Sequence, residues 1–255
     1  MVRPSGEGHA QFVRALSFGS VAEQYERYRP GYPNELVDAV FQHATRPVYS
    51  ALEVGAGTGK ATRLFASRGV EVIALEPDVE MAGVLEKTTL GLPVTPIVTT
   101  FEEYEGGSRV DLVYAAAAWH WTDPATRMVR AAELLSPGGV LALFGTSVDP
   151  ADPDLLAAVE EIEKEELPDN DPAVVHPWSL EELDITAGFV DSAQLDLPRI
   201  VTRTAEEFVG RLATVSAYLM LSPEARGDLL SRIRALLPDQ IDVDATVQLS
   251  MARRA

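Results

Sequence analysis

The residues Glu53-Val54-Gly55-Ala56-Gly57-Thr58-Gly59-Lys60 join an apolar run, Val48 to Val54, to a segment of helical pattern, Thr58 to Ser67. A glycine-rich turn between a strand and a helix is where open α/β sheets bind ligands, beyond the carboxyl ends of their strands. Working outward, Val70 to Leu75 reads as a second strand, Asp78 to Lys87 as a helix, Val94 to Val98 as a short strand and Val110 to Ala115 as another. Asp123-Pro124 sets an N-cap and an N1 proline for a helix to about Leu135. Pro137-Gly138-Gly139 ends that helix, and Val140 to Phe144 is a further strand. Short apolar strands alternating with helices predict an α/β fold with a doubly wound parallel sheet.

The flanks are of different texture. The first ten residues are polar and bear Gly and Pro, as a loose tail does. Ser20-Val21-Ala22-Glu23 has the pattern of a capping box, opening a short helix that Pro30 ends, just before Gly31-Tyr32-Pro33. A second helix is expected from Asn34 to about Ala44. Downstream, residues 149–184 are strongly acidic, with Lys164 the one Lys or Arg. Two readings stand for this stretch: a solvated helical insertion, or a lid that repels anions and attracts a cationic substrate. Ser179-Leu180-Glu181-Glu182 is a second capping-box pattern, for a helix to Ala187. A strand around Ala193–Val201, a long helical region from Thr204 to Leu237 and a last strand from Thr246 to Arg253 complete the chain. The organisation expected is a tail and helical lid over 1–45, a ligand-binding core over 46–148, an acidic cap insertion over 149–190, and closing helices and strands of the same core over 191–255.

Composition excludes several chemistries. At 255 residues with 46% apolar side chains, a core forms without staples. With Cys 0, thiol catalysis, disulfides and thiolate metal sites are excluded. Lys+Arg 21 against Asp+Glu 39 gives a net charge of -18, which repels a phosphate backbone and argues against a nucleic-acid partner. No apolar run reaches the length of a membrane span and no apolar stretch marks the start as a signal peptide, so a cytoplasmic protein without membrane contact is expected. No His or acidic spacing resembles a metal site, and no Gly-x-Ser-x-Gly elbow occurs.

The ligand of the glycine turn follows by elimination and charge. A nucleotide-triphosphate loop anchored on Gly59-Lys60 would place its first glycine at Val54 and its hydroxyl at Ala61, and both fail. The dinucleotide pattern begins well at Gly55 and Gly57 but meets Lys60 at its third glycine. Glu53 beside the turn opposes a pyrophosphate and favours a cationic group. Glu76, 21 residues after Gly55 at the end of the second strand, suits the two hydroxyls of a ribose. S-adenosylmethionine carries an ammonium, a sulfonium and a ribose, and no phosphate.

The segments EVGAGTGK, ALEPD, DLVYAAAAWHW and LLSPGGVLALF together resemble a class I S-adenosylmethionine-dependent methyltransferase over residues 12–146. The upstream FGSVAEQYERYRPGYP resembles a bacterial small-molecule branch, of methyltransferase type 11 and trans-aconitate methyltransferase kind. The resemblance implies a Rossmann-like seven-stranded sheet of order 3-2-1-4-5-7-6 with the last strand antiparallel, an N-terminal helical lid and a helical cap. It implies S-adenosylmethionine as cofactor, with Glu53 and the backbone of Gly55, Ala56, Gly57 and Gly59 around the methionine ammonium, and Glu76-Pro77 at the ribose. The position that usually supplies an acid to adenine is Thr100-Phe101 here, with Glu102 next; Phe101 either covers the base or belongs to the core. Ala116 and Ala117 close the pocket, Ala117 standing where the branch usually has glutamine.

Tyr25, Tyr28, Arg29 and Tyr32 cluster upstream of the core. Aromatic faces attract a sulfonium, and Arg29 suits the methionine carboxylate. The alternative is a surface helix with aromatic anchors. Trp119-His120-Trp121 follows the fourth strand, where the substrate is met, and His120 is either the general base or an orienting residue. Tyr32, His176 and Trp178 are further substrate candidates. The function expected is in-line methyl transfer to a small-molecule O, N or C nucleophile by a monomer or homodimer. The rivals are a cofactor-binding protein that transfers no methyl (a cyclase or regulator) and a nicotinamide oxidoreductase.

Overall fold

The computed structural model describes residues 16–167 and 188–255. His176, Trp178 and the Ser179–Glu182 pattern lie outside the described residues. Two compact units emerge, each assembled from three stretches of chain. One holds residues 31–145, 188–197 and 247–255, the other 16–30, 146–167 and 198–246.

The first unit is built on a seven-stranded sheet of order β3-β2-β1-β4-β5-β10-β7, in which β7 runs antiparallel to β10. Its strands are β1 (Ser50–Val54), β2 (Glu71–Leu75), β3 (Val94–Ile97), β4 (Val110–Ala116), β5 (Leu135–Thr146), β7 (Phe189–Leu197) and β10 (Val247–Arg254). This is the expected order, β10 and β7 being the last two strands of the sheet. The apolar runs read as strands because both faces of the sheet are covered. Alternate residues feed opposite cores. Leu112, Tyr114, Val140, Ala142 and Phe144 join one cluster, while Val113, Ala115, Leu141 and Leu143 join the other. The first cluster takes in residues of the helices Asn34–His43 and Lys60–Ala66, and the second takes in residues of the helix Arg127–Leu134. Asp111 locks the sheet's lower edge, accepting Arg46 Nη2 at 2.7 Å and the N–H groups of Tyr49 and Ser50 at 3.0 and 3.2 Å.

The second unit carries a three-stranded sheet of order β6-β9-β8: β6 (Asp149–Pro150), β9 (Gln240–Asp244) and β8 (Ile200–Thr204). Helices Ala22–Tyr28, Pro153–Glu166, Ala205–Leu212, Ser216–Leu219 and Pro223–Leu236 complete it. Among the described residues no helix is long and apolar enough to cross a membrane.

Several local expectations are corrected. The Ser20 capping box does not form: Ser20 Oγ donates to the Ser17 carbonyl at 2.9 Å within a 3-10 turn, and the helix begins at Ala22 without a side-chain cap. Asp123 and Pro124 precede the helix by a turn, Asp123 accepting from Ala125 N–H at 2.9 Å, so the helix starts at Arg127. Pro137-Gly138-Gly139 lies inside β5, where the ladder passes from Val110–Leu135 to Leu112–Val140 and the intervening residues bulge out. The single strand expected over 193–201 divides at Pro198 into β7 and β8, which belong to different units. The long helical region of 204–237 is three helices, and β9 follows it.

One face of the main sheet is held by an aromatic column. Phe65 packs 4.4 Å from Tyr114 and 6.3 Å from Phe144 between ring centroids, and it is wholly buried. Phe65→Ala therefore removes a buried ring from a close-packed face and is expected to lower the unfolding free energy by about 3–5 kcal/mol, read by denaturant titration.

Candidate active site

The chain leaves β1 at Glu53-Val54 and turns through Gly55, Ala56 and Gly57 before the Lys60–Ala66 helix. Gly55 has φ +67°, and a Cβ there would lie 2.5 Å from Ala118 Cβ. Glycine is thus required twice over, by the backbone region and by the approach of the loop that follows β4. Gly57 also has a positive φ, of +58°, and a Cβ there would meet only the tip of Met81, at 3.5 Å.

Two carboxyls converge on the turn. Glu53 is completely buried; its Oε2 accepts from Thr62 Oγ1 at 2.5 Å and from Tyr114 OH at 2.9 Å. Its Oε1 is buried without a hydrogen-bond partner, as is Thr58 Oγ1 nearby in the chain. Glu76, nearly as buried, accepts from Gly57 N–H at 2.7 Å and from Asp78 N–H at 2.9 Å, one bond on each oxygen. Burial pushes Glu53 up to about 8, with the Glu76 charge adding to it, and the Thr62 and Tyr114 hydrogen bonds opposing it only in part. Burial likewise pushes Glu76 up to about 7, against two backbone hydrogen bonds. Tyr114 is held well above the usual phenol range by burial and by Glu53. Two desolvated carboxyls, one with an unsatisfied oxygen, have the chemistry that suits a cation and hydroxyl groups.

The second side of the site comes from the ends of β3 and β4. Thr100 Oγ1 accepts from Glu103 N–H at 3.1 Å. Phe101 is buried in the core, 5.7 Å from Trp119 between ring centroids. Glu102 is exposed and accepts from Asp123 N–H at 2.8 Å, tying the exit of β3 to the loop after Trp121. Ala116 and Ala117 are half-buried; Ala117 sits at φ +53°, a conformation that strains a residue with a Cβ, and its N–H donates to the Phe144 carbonyl at 2.8 Å. Trp119 is wholly buried beneath the Arg127 guanidinium, 5.6 Å from its carbon. His120 and Trp121 are half-buried with ring centroids 4.3 Å apart. Tyr32 packs edge-on to Phe144 at 5.0 Å between centroids.

Tyr25 and Arg29 belong to the other unit. There Arg29 lies 5.1 Å over the Tyr25 ring and donates to Thr214, from Nε to Oγ1 at 2.9 Å and from Nη2 to the carbonyl at 3.0 Å. Among the described residues no cluster of three His, Cys, Asp or Glu could hold a metal.

A methyltransferase-domain family matches residues 52–143, from β1 through most of β5. Residues 52–143 thus match a methyltransferase domain. An uncharacterized methyltransferase of Mycobacterium tuberculosis is 42% identical over 135 residues, 53% of this chain and 54% of that protein. The chain thus spans about half the length of the curated relatives it matches. Among solved structures, a candidate type II methyltransferase of Anaeromyxobacter dehalogenans superposes with a TM-score of 0.63 at 21% identity, covering 89% of this chain and 98% of that one. Phosphoethanolamine N-methyltransferase 2 of Haemonchus contortus, in complex with S-adenosyl-L-methionine, gives 0.53 at 18% identity, over 92% of this chain and 57% of that one. These likenesses establish the fold of the domain.

Sequence reading placed Glu53, Glu76 and the glycines of the methyltransferase domain but missed Thr62, Tyr114 and Ala118. Tyr114 is the β4 residue directly beside Glu53 in the parallel register, so aligning neighbouring strands would have found it. The raised carboxyls have a consequence for stability. The folded domain keeps protons that the unfolded chain releases near pH 4.5, so the two carboxyls favour folding below that pH, and this contribution is lost as pH rises through about 7 and 8. The melting temperature of the ligand-free protein is therefore expected to fall between pH 5.5 and 8.5, and to fall less in Glu53→Gln, as scanning calorimetry would read.

Proposed function

We propose that the protein binds S-adenosylmethionine at the glycine turn and transfers its methyl group to a small-molecule O, N or C nucleophile. The observation that carries this reading is the buried, unpartnered Oε1 of Glu53 beside a turn whose Gly57 N–H is held by Glu76. An anionic pyrophosphate is repelled by this pair of carboxyls, which counts against a nicotinamide dinucleotide. A cationic amino acid and a ribose diol satisfy it. When bound, S-adenosylmethionine supplies a methyl group already activated on a sulfonium. Glu53 holds the ammonium, positioned by Thr62 and Tyr114, while Glu76 takes the ribose hydroxyls. Gly57 lets the ligand come close to the backbone, and the half-buried pair His120 and Trp121 faces the acceptor. His120 accepts the acceptor's proton where one must leave. The protein's part is alignment and exclusion of water.

Because the cation requires ionised carboxyls, affinity for S-adenosylhomocysteine is expected to rise between pH 6 and 8, with proton release on binding, in calorimetry. Glu76→Ala is expected to cost about 1.5–3 kcal/mol of that affinity, roughly ten- to 150-fold. Unchanged binding in Glu76→Ala, or tight binding of NADH instead, overturns the assignment. His120→Ala is expected to lower the maximal transfer rate by about 10²–10⁴ and to leave the affinity for S-adenosylhomocysteine as it was. Equal rates in the two proteins would leave alignment as the whole of catalysis.

A further inference from the structure

Glu53 draws its two hydrogen-bond donors from different elements of the main-sheet unit. Thr62 stands on the Lys60–Ala66 helix and Tyr114 on β4, directly beside Glu53 in the parallel register of β1 and β4. Both donate to Oε2, at 2.5 and 2.9 Å, and Oε1 is left without a partner. The Tyr114 ring is wholly buried, 4.4 Å from Phe65 and stacked on Phe144 at 6.1 Å between centroids. Its oxygen is therefore fixed by packing at a set distance from the carboxyl. Burial, and the Glu53 charge beside it, keep the phenol protonated, so it remains a donor.

The groups that act on Glu53 come from every element around it. Glu76, at the end of β2, opposes its ionisation, while Arg63 on the Lys60–Ala66 helix favours it, as do the Thr62 and Tyr114 hydroxyls. Burial opposes it most. A hydrogen bond donated to a carboxylate favours the charged form. Where the free carboxyl is already ionised, the Tyr114 bond exists before and after a cation binds, and it cancels from the affinity. Where the free carboxyl carries a proton, a cation must displace that proton, and the Tyr114 bond then adds to the affinity. The hydroxyl therefore acts on the acid side alone, whereas a packing role would act at every pH. We infer that Tyr114 is a positioning residue that sets the pH window of the site, its hydroxyl holding Glu53 ready in the ionised form that a cationic ligand needs. The window for the cofactor rests on the S-adenosylmethionine reading above; the hold of the hydroxyl on the carboxyl does not.

Tyr114→Phe keeps the ring and removes the oxygen. Calorimetry with S-adenosylhomocysteine at pH 6 and pH 9 tests it, with methylthioadenosine, which has the ribose and base but no ammonium, as control. The variant is expected to bind S-adenosylhomocysteine about three- to tenfold more weakly than wild type at pH 6, as a rise of roughly half to one unit in the carboxyl's midpoint requires. At pH 9 the two proteins are expected to agree within about twofold, and methylthioadenosine is expected to bind both alike at either pH. Thr62→Val removes the other donor to the same oxygen; it is expected to act in the same direction and stands in should Tyr114→Phe not fold. Without any ligand, carbon NMR of the Glu53 carboxyl, assigned by its loss in Glu53→Gln, is expected to show a higher titration midpoint in Tyr114→Phe. An equal loss at both pH values, an equal loss for methylthioadenosine, or an unmoved Glu53 midpoint overturns the role and leaves Tyr114 a packing residue. A midpoint that moves as expected in a protein that binds neither nucleoside would uphold the hold on the carboxyl and sink the S-adenosylmethionine reading instead.

Discussion

The completely buried carboxyl of Glu53 is the constraint around which the methyltransferase domain is arranged. Burying a carboxyl among apolar residues is expensive, and proteins keep one there only with partners. Two partners are built in from different elements, Thr62 from the first turns of a helix and Tyr114 from the neighbouring strand. They satisfy one oxygen and leave the other. The carboxyl is therefore held in place with one oxygen unpaired, and under the proposed function a cation at Oε1 would gain the interaction that the fold withholds. Glu76 repeats the device more mildly, with one backbone donor on each oxygen and lone pairs left over.

The turn that presents these groups depends on an absence of atoms. Gly55 has no Cβ, and the space a Cβ would take is occupied by Ala118. Two loops from the ends of adjacent strands thereby touch, and the short alanine run after β4 becomes intelligible: a larger residue at 118 would push the glycine turn away from Glu76. The same run bends through Ala117 at a positive φ before the 3-10 turn Trp119–Trp121. Within that turn the wholly buried Trp119 anchors the segment in the core, while His120 and Trp121 remain half-buried. Anchor and working residues are neighbours in sequence because the tight turn sends successive side chains in different directions.

How much of this the sequence disclosed follows from the range of each interaction. Strands buried on both faces announce themselves as apolar runs, and Glu53, Glu76 and the glycines are tied together by spacing along one strand–turn–helix–strand path. Gly and Pro mislead where they punctuate within an element: Pro137-Gly138-Gly139 has the composition of a terminator but is a bulge inside β5, because the ladder resumes at Val140. The division at Pro198 was hidden by continuous strand-like texture on both sides. Tyr114 and Thr62 were illegible because their roles depend on lateral register and helix packing, which one sequence does not display.

The acidic composition takes on meaning when the two units are considered separately. In the sheet unit, the carboxyls of Glu53 and Glu76 are withdrawn from water beside the glycine turn. In the other unit, the exposed acids lie on surfaces such as the Pro153–Glu166 helix, where Glu165 pairs with Arg232 at 2.5 Å. That pair is exposed and contributes little to stability. The two carboxyls beside the glycine turn follow the opposite logic: they are withdrawn from water, so a partner able to replace the lost hydration gains more there than a surface pair does.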